Sequence, residues 1–317
     1  MGVFRGEHLE SVHIFSAAVL APSGRILASW GDASFPFFLR SLAKPFQVGP
    51  ILLEARRRGE SLSTEEVAVA SASHAGEEEH LQAVRRLLHR GGLGEEEVAC
   101  GISDNCSGKH AAFLLLARWR GWPREGYLLP SHPVQEEVRA QVARVMALDP
   151  GFLPLAPDGC GAPTFFAPLA NVALAFARLG AWEEFHEVRR AMLSHPRLVA
   201  GEGRFVTALM EAAGGRVLAK DGAEGSLGLA LPGEGLGVAL KVHDGGSRAV
   251  PPAALGVLEH LGLSFPALRE WARRPVTDRR GRPVGEMRLL PGGLRVKGAG
   301  LPGRAPRPPA PGAGCPG

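Results

Sequence analysis

Along residues 11–32, "SVHIFSAAVLAPSGRILASWGD", apolar residues crowd into two short runs parted by Pro-Ser-Gly. Runs of this length bounded by turn residues predict two strands joined in a hairpin. From Ser41 the spacing becomes helical. A helix is expected to reach Gly59, with Pro45 in or beside its first turn and Pro50 kinking it. Ser63 and Glu66 have the spacing of a capping box ahead of "VAVASAS". "GEEEHLQAVRRLLHRGG" places acids first, bases last and glycine after, the signature of an amphipathic helix. "GKHAAFLLLARWRG" predicts a buried helix. "HPVQEEVRAQVARVMAL", "TFFAPLANVALAFARLG" and the stretch Trp182 to Leu193 extend a helical middle. The pattern then shortens again. "GGRVLAK", "EGSLGLALP" and "GLGVALKVHDGG" predict strands between glycine turns, one or two helices fill Pro252 to Arg273, and "RPVGEMRLL" and "GGLRVKG" predict closing strands. Strands at both ends and helices between imply an α/β (α+β) domain: an antiparallel sheet built from both termini and covered by the helical middle. Residues 1–302 are expected to form a single catalytic domain with sheet and helical lobes. The Pro- and Gly-rich 303–317 is expected to be disordered.

Composition narrows the function. The 317 residues are 45% hydrophobic and 21% charged, with a net charge of +4, which suits a soluble globular protein with a sizeable core. Few aromatics and no broad basic patch argue against nucleic acid. No apolar run approaches membrane-spanning length, and no signal peptide opens the chain, so cytoplasmic residence is expected. Cys100, Cys106, Cys160 and Cys315 then read as reduced thiols.

The basic residues are the most informative. Of 36, only Lys44, Lys109, Lys220, Lys241 and Lys297 are lysines. Arginine keeps its proton under protein conditions, whereas a desolvated lysine can become a neutral base or a ligand. Ser41-Leu-Ala-Lys44 is an S-x-x-K pattern in which Lys44 could deprotonate the Ser41 hydroxyl at the positive end of a helix; alone, this pattern is common. "ASASHAGEEEH" offers Ser73 as a second hydroxyl, though a helix joint capped by Ser73 explains it equally. "AKDGAEG" sets Lys220 at a strand end beside glycines, where an exposed hairpin lysine is the plain alternative. In this order the three imitate the S-x-x-K, S-x-N and K-x-G elements of penicillin-recognising enzymes, with Ser73-His-Ala departing from S-x-N. A Lys220 ammonium near Lys44 would depress its pKa. In "DNCSGKH" and "PDGCGAP", the thiolates of Cys106 and Cys160 could bind zinc, or the cysteines could be buried thiols, and Lys109 lies one helical turn from Cys106. His110 and Asp158 flank them and could read a substrate's charged groups.

Taken together, "ESVH", "RSLAKPFQ", "SHAGEEEH", "DNCSGKH", "HPVQ", "DGCGAP", "AKDGAEG" and "KVHDGGSRA" resemble the serine–lysine, rhizobial-type inducible L-asparaginases over roughly residues 6–290. "NCSGKH" and "DGCG" are the most specific of these. The resemblance implies a serine β-lactamase-like fold, a homodimer, and hydrolysis of L-asparagine to aspartate and ammonia through an acyl-enzyme. It implies Ser41 as nucleophile, Lys44 as its base, and Ser73 with Lys220 as a second pair. It also implies zinc on Cys106, Lys109 and Cys160, and Arg40, His110 and Asp158 around the substrate. The alternatives are a glutaminase, a β-lactam or peptide hydrolase on the same fold, and a non-catalytic zinc-stapled binding protein.

Overall fold

The Pro-Ser-Gly turn joins the antiparallel strands Phe15–Leu20 and Ile26–Trp30. In the computed structural model, which describes residues 1–290, they enter a five-stranded antiparallel sheet. Its order is Ile26–Trp30, Phe15–Leu20, Leu236–Val242, Ser226–Leu231, Leu218–Gly222. Thus the first and last thirds of the chain meet in one sheet, as the strand distribution predicted. Phe15–Leu20 and Ser226–Leu231 are buried at every residue, because helices cover both faces.

The ends differ from expectation in detail. Two further strands precede the hairpin, Gly2–Arg5 and His8–Val12, and they join a separate four-stranded sheet of order Arg274–Thr277, Pro283–Arg288, Gly2–Arg5, His8–Val12. The expected closing strand at residues 292–298 and the tail lie outside the described residues. "TFFAPLANVALAFARLG" is not helical throughout. Pro163–Pro168 is a strand between Leu155–Pro157 and Pro36–Phe38, and the helix starts only at Leu169, after Pro168. The helical period is real from Leu169 on; ahead of it, two prolines bracket an aromatic pair that favours a strand.

The helix expected over residues 41–59 is broken into three: a 3₁₀ turn Arg40–Ala43, then helices Lys44–Gln47 and Gly49–Arg57. Pro45 and Pro50 each sit at a helix start, where no N–H is needed. The 3₁₀ turn is held from one side by the Pro163–Pro168 strand: the Leu39 N–H donates to the Phe165 carbonyl (2.8 Å) and the Arg40 N–H to Thr164 Oγ1 (2.9 Å). On its other side lies the edge strand Leu218–Gly222. Gly222 permits that approach, since a Cβ there would stand 3.1 Å from the Leu39 carbonyl oxygen and 2.3 Å from Ser226 Oγ.

The capping box forms as predicted, with Ser63 N–H donating to Glu66 Oε2 at 2.6 Å, and it starts the helix Thr64–Ala70. That helix packs against Ser107–Arg120, which is buried from Ser107 through Ala117. Gly108 makes the contact possible, because a Cβ there would lie 2.2 Å from the Val69 carbonyl oxygen. Backbone cannot yield as a flexible side chain can. Gly108→Ala is therefore expected to cost about 1–3 kcal/mol or more, read as a lower urea midpoint; an unchanged midpoint contradicts this packing.

Candidate active site

Lys44, Lys109, Lys220 and Lys241 are 1%, 2%, 0% and 7% exposed, so every lysine among the described residues is buried. Burial of an amine without partners is costly, and each has found them. Lys44 Nζ donates to the Asn105 carbonyl (3.0 Å) and lies 3.1 Å from Ser73 Oγ. Lys220 Nζ lies 2.8 Å from the same Ser73 Oγ, and also bonds the Asp221 carbonyl (2.7 Å) and Asp221 Oδ1 (2.8 Å). Those three bonds use the three donors of an ammonium. Lys109 Nζ reaches Cys160 Sγ at 3.2 Å. Lys241 bonds the Glu224 and Val242 carbonyls, and so holds the turn that follows the Lys220 strand.

Ser73 is thus a bridge between two lysines. It caps no helix: the next helix starts at Glu78, and the Ser73 N–H is taken by the Val199 carbonyl (2.9 Å). Ser41 lies in the 3₁₀ turn three residues before Lys44, a spacing that brings side chains onto one face. The Lys44 backbone N–H donates to the Ser41 carbonyl, but among the described residues no side-chain hydrogen bond joins Ser41 to Lys44; the Lys44 amine points to Ser73 instead. Ser41 and Ser73 both line a cavity of about 630 Å³, with Arg40, Asn105, Cys106 and Asp158. Lys44 lies beneath its floor.

Burial is the main reason the Lys44 pKa falls to about 8; the Lys220 and Lys109 amines add to the effect, and Cys106 opposes it. The expected influence of Lys220 is present but secondary to desolvation.

Arg40 has φ +50°, a left-handed conformation that is rare outside glycine, and so does Glu224 at +59°. Both line this cavity. Strained backbone of this kind persists only where surroundings enforce it, and it gathers at functional sites. Arg40 Nε pairs with Asp158 Oδ1 at 2.5 Å. Asp158 opens the tight turn that presents Cys160, with Gly159 N–H donating to Asp158 Oδ1 and Gly161 N–H to the Asp158 carbonyl.

Cys106 and Cys160 approach each other from the start of the Ser107–Arg120 helix and from that turn. Their hydrogen bond is the largest influence on both, and it divides them: Cys160 is driven toward thiolate, aided by His110 and Lys109, while Cys106 is held as a thiol. His110 is fully buried and is not part of the cavity wall. Tyr127 Oη accepts from the Ala99 N–H and sits 2.7 Å from His110 Nδ1. His110 Nε2 is the ring nitrogen left toward Cys160. Among the described residues no three His, Cys, Asp or Glu side chains gather as a metal-ligand set. The donors here are two sulfurs and one amine. That set fits a thiophilic ion bound by three protein ligands and one open position.

Residues that sequence reasoning left unassigned complete the site. Asp221 Oδ2 accepts from Arg204 Nη2 at 3.3 Å, which extends the Ser73–Lys220–Asp221 chain to a guanidinium lining the same cavity. Asp221 was visible as the residue after Lys220. Arg204, in "GEGRFV", carried no signal beyond its glycine-rich surroundings.

His74, beside Ser73, accepts from the Gly76 N–H at Nδ1 and lies 2.9 Å from Ser107 Oγ at Nε2, which fixes its neutral tautomer. Burial, then His80 and Lys44, lowers its pKa to about 3. A histidine whose folded pKa is depressed costs stability as pH falls below its unfolded value near 6.5. The parent is expected to lose on the order of 1–2 kcal/mol more than His74→Asn between pH 7 and pH 5, measured by urea unfolding at both; equal losses contradict it.

With the geometry in place, comparison with protein families is decisive. The L-asparaginase II family model matches residues 1–104 and 101–289. The chain belongs to the L-asparaginase II family. Comparison with curated proteins returns no match. Among solved structures, this L-asparaginase II family member is similar to Mglu in its tris and glutamate form, at 16% identity and TM-score 0.49, over 80% of this chain and 60% of that one. It is also similar to a β-lactamase from Mycobacterium bovis (16%, TM-score 0.40, 78% and 95%) and a Bacillus glutaminase (14%, TM-score 0.38, 79% and 92%). The chain spans about three fifths of the length of the first of these. No helix among the described residues is long and apolar enough to cross a membrane.

Proposed function

We propose that this protein is an L-asparagine amidohydrolase acting through a covalent Ser41 ester. One observation carries the reading: Ser73 Oγ sits at once on Lys44 and Lys220, in the wall of the cavity that Ser41 also lines. In this mechanism the Ser41 hydroxyl attacks the side-chain amide carbon. The desolvated Lys44 amine takes its proton, swinging from Ser73 as substrate enters. Catalytic hydrogen bonds commonly tighten only in the substrate complex. Ser73, fed by Lys220, passes a proton to the departing nitrogen, and ammonia leaves. Water then cleaves the β-aspartyl ester by the same groups in reverse. In this reading backbone N–H groups at Ser41 and after Lys220 hold the oxyanion. Arg40, fixed by Asp158, offers a cation to the substrate carboxylate. His110 acts from behind, on Cys160.

Zinc on Cys106, Lys109 and Cys160 belongs to this reading. When bound, it would supply a fixed positive charge and a tie between the 158–162 turn and the helix bearing Lys109. The purified protein is expected to hold about one zinc per chain, and Cys160→Ala to lose it by elemental analysis. Stoichiometric metal in that variant, or none in the parent, removes the assignment. The homodimer and cytoplasmic residence implied by the family likeness complete the reading; sedimentation tests the first.

The function itself is tested by ammonia release from L-asparagine, with glutamine and a chromogenic cephalosporin alongside. Asparagine is expected to be the preferred substrate. A folded protein that releases no ammonia from it overturns the proposal.

A further inference from the structure

A second cavity, of about 270 Å³, adjoins the first. Arg204, Asp221, Gly222 and Ser247 line both, so these residues form the partition between them. The far side of the second cavity is apolar and aromatic: Phe205, Val206, Val250 and Trp271. The Phe205 and Trp271 rings are in contact, with centroids 5.4 Å apart. One cation, Arg274, enters among them, its guanidinium 5.3 Å above the Trp271 ring. Its neighbour Arg273 pairs with Glu286 at 2.8 Å, whereas Arg274 has no carboxylate partner among the described residues.

Ammonia needs no such space. The position of the space relative to the proton donor says what would use it. Lys220 and Ser73 are the pair that delivers a proton to the departing nitrogen, so that nitrogen leaves on the Lys220 side. The next two residues of the strand, Asp221 and Gly222, belong to the partition. In this reading a substituent on the leaving nitrogen would pass Gly222 into the adjoining cavity. There it would meet an apolar wall and an unpaired guanidinium, the complement of an amino acid with an apolar side chain and a free carboxylate.

We propose that this cavity is a leaving-group subsite, and that the protein also cleaves β-aspartyl dipeptides whose second residue is apolar. The inference rests on the amidohydrolase reading and extends it from a primary to a secondary amide. The step balances in the same way. Ser41 Oγ bonds to the β-carbonyl carbon and the carbon–nitrogen bond breaks. The nitrogen takes a proton through Ser73 and leaves as a free amino acid. Water hydrolyses the ester, and aspartate is released. The side chain of the second residue lies against Val206, Val250 and Trp271, and its carboxylate meets Arg274.

The test measures aspartate formed from L-asparagine and from β-L-aspartyl-L-leucine by the same purified full-length protein. Both are expected to be hydrolysed, with β-aspartyl-lysine about tenfold poorer than the leucine compound. Arg274→Gln removes the carboxylate anchor, and Val250→Phe fills the apolar wall from a different element. Each is expected to lower kcat/KM for β-aspartyl-leucine about tenfold or more, mainly through KM, and to change that for asparagine less than about twofold. Circular dichroism confirms that each variant is folded. Hydrolysis of asparagine without hydrolysis of the dipeptide overturns the subsite and leaves the amidohydrolase reading standing. Variants that slow both substrates alike, or neither, place the dipeptide elsewhere and also overturn it. A protein that cleaves neither compound refutes the hydrolase reading and this inference with it.

Discussion

Lys44→Arg is expected to lower ammonia release from asparagine by about 10²–10⁴-fold, the range over which a positioned general base contributes. The substitution keeps a cation and nearly the same reach, so charge and packing are mostly conserved. What it removes is the ability to lose a proton. At Lys44, burial has already brought the pKa down to about 8, near the range where a base is both free and strong. A guanidinium gains nothing comparable from burial. Single-turnover kinetics separates this from a binding defect: formation of the Ser41 ester, followed by mass spectrometry, should slow by the same factor as steady-state turnover. A variant that releases ammonia at near the parental rate excludes Lys44 as the base.

Ser73→Ala should be nearly as severe, and it should also register in stability. One hydroxyl here serves two buried amines, at 3.1 Å from Lys44 and 2.8 Å from Lys220. Alanine leaves each of them one partner short in a site with little access to water. Loss of one partner from a buried polar group costs about 1–3 kcal/mol, and more for charged groups. The activity should fall by about 10²-fold or more, as expected for a lost proton relay, and the urea midpoint should fall with it. Ser73→Cys returns a donor and acceptor of larger size, and should recover part of the stability while leaving the rate low. Unchanged stability in Ser73→Ala would show that water replaces the hydroxyl at no cost, and would end the description of Ser73 as the bridge.

How much of this was legible beforehand depended on what kind of force set each feature. The hairpin, the capping box and the buried Ser107–Arg120 helix are local, and their patterns are strong. The lysine scarcity was informative for a physical reason: a chain that uses arginine for its solvated charges has placed all four described lysines in the interior. Ser41, Ser73, Asp158, Cys106 and Cys160, which the family resemblance singled out, line one cavity. Other features depend on contacts far apart in sequence, which no local pattern carries. The break after Ala43 and the left-handed Arg40 are imposed by the Pro163–Pro168 strand on one side and Gly222 on the other. That strand itself was hidden inside a helical-looking run. Ser41–Lys44 and Ser73–Lys220 read as two separate pairs, but the fold passes the Lys44 amine to Ser73 and makes a chain. His110 reads as a pocket residue from its proximity to Lys109, yet the helix turns it inward to Tyr127. Arg204 joins the site only because Asp221 reaches across to it.

The withdrawal of the lysines has an outcome at the molecular surface. The terminal amine of Met1 is likewise buried and bonded to the His13 carbonyl. Among the described residues, then, no lysine amine faces solvent, although arginine cations are spread over the exterior. Reagents that acylate lysine amines, and endoproteinases that cut after lysine, meet in the folded molecule no accessible target within residues 1–290. Any labelling or scission there reports the fraction of molecules whose interior has opened, which makes the folded state its own reference in such an assay.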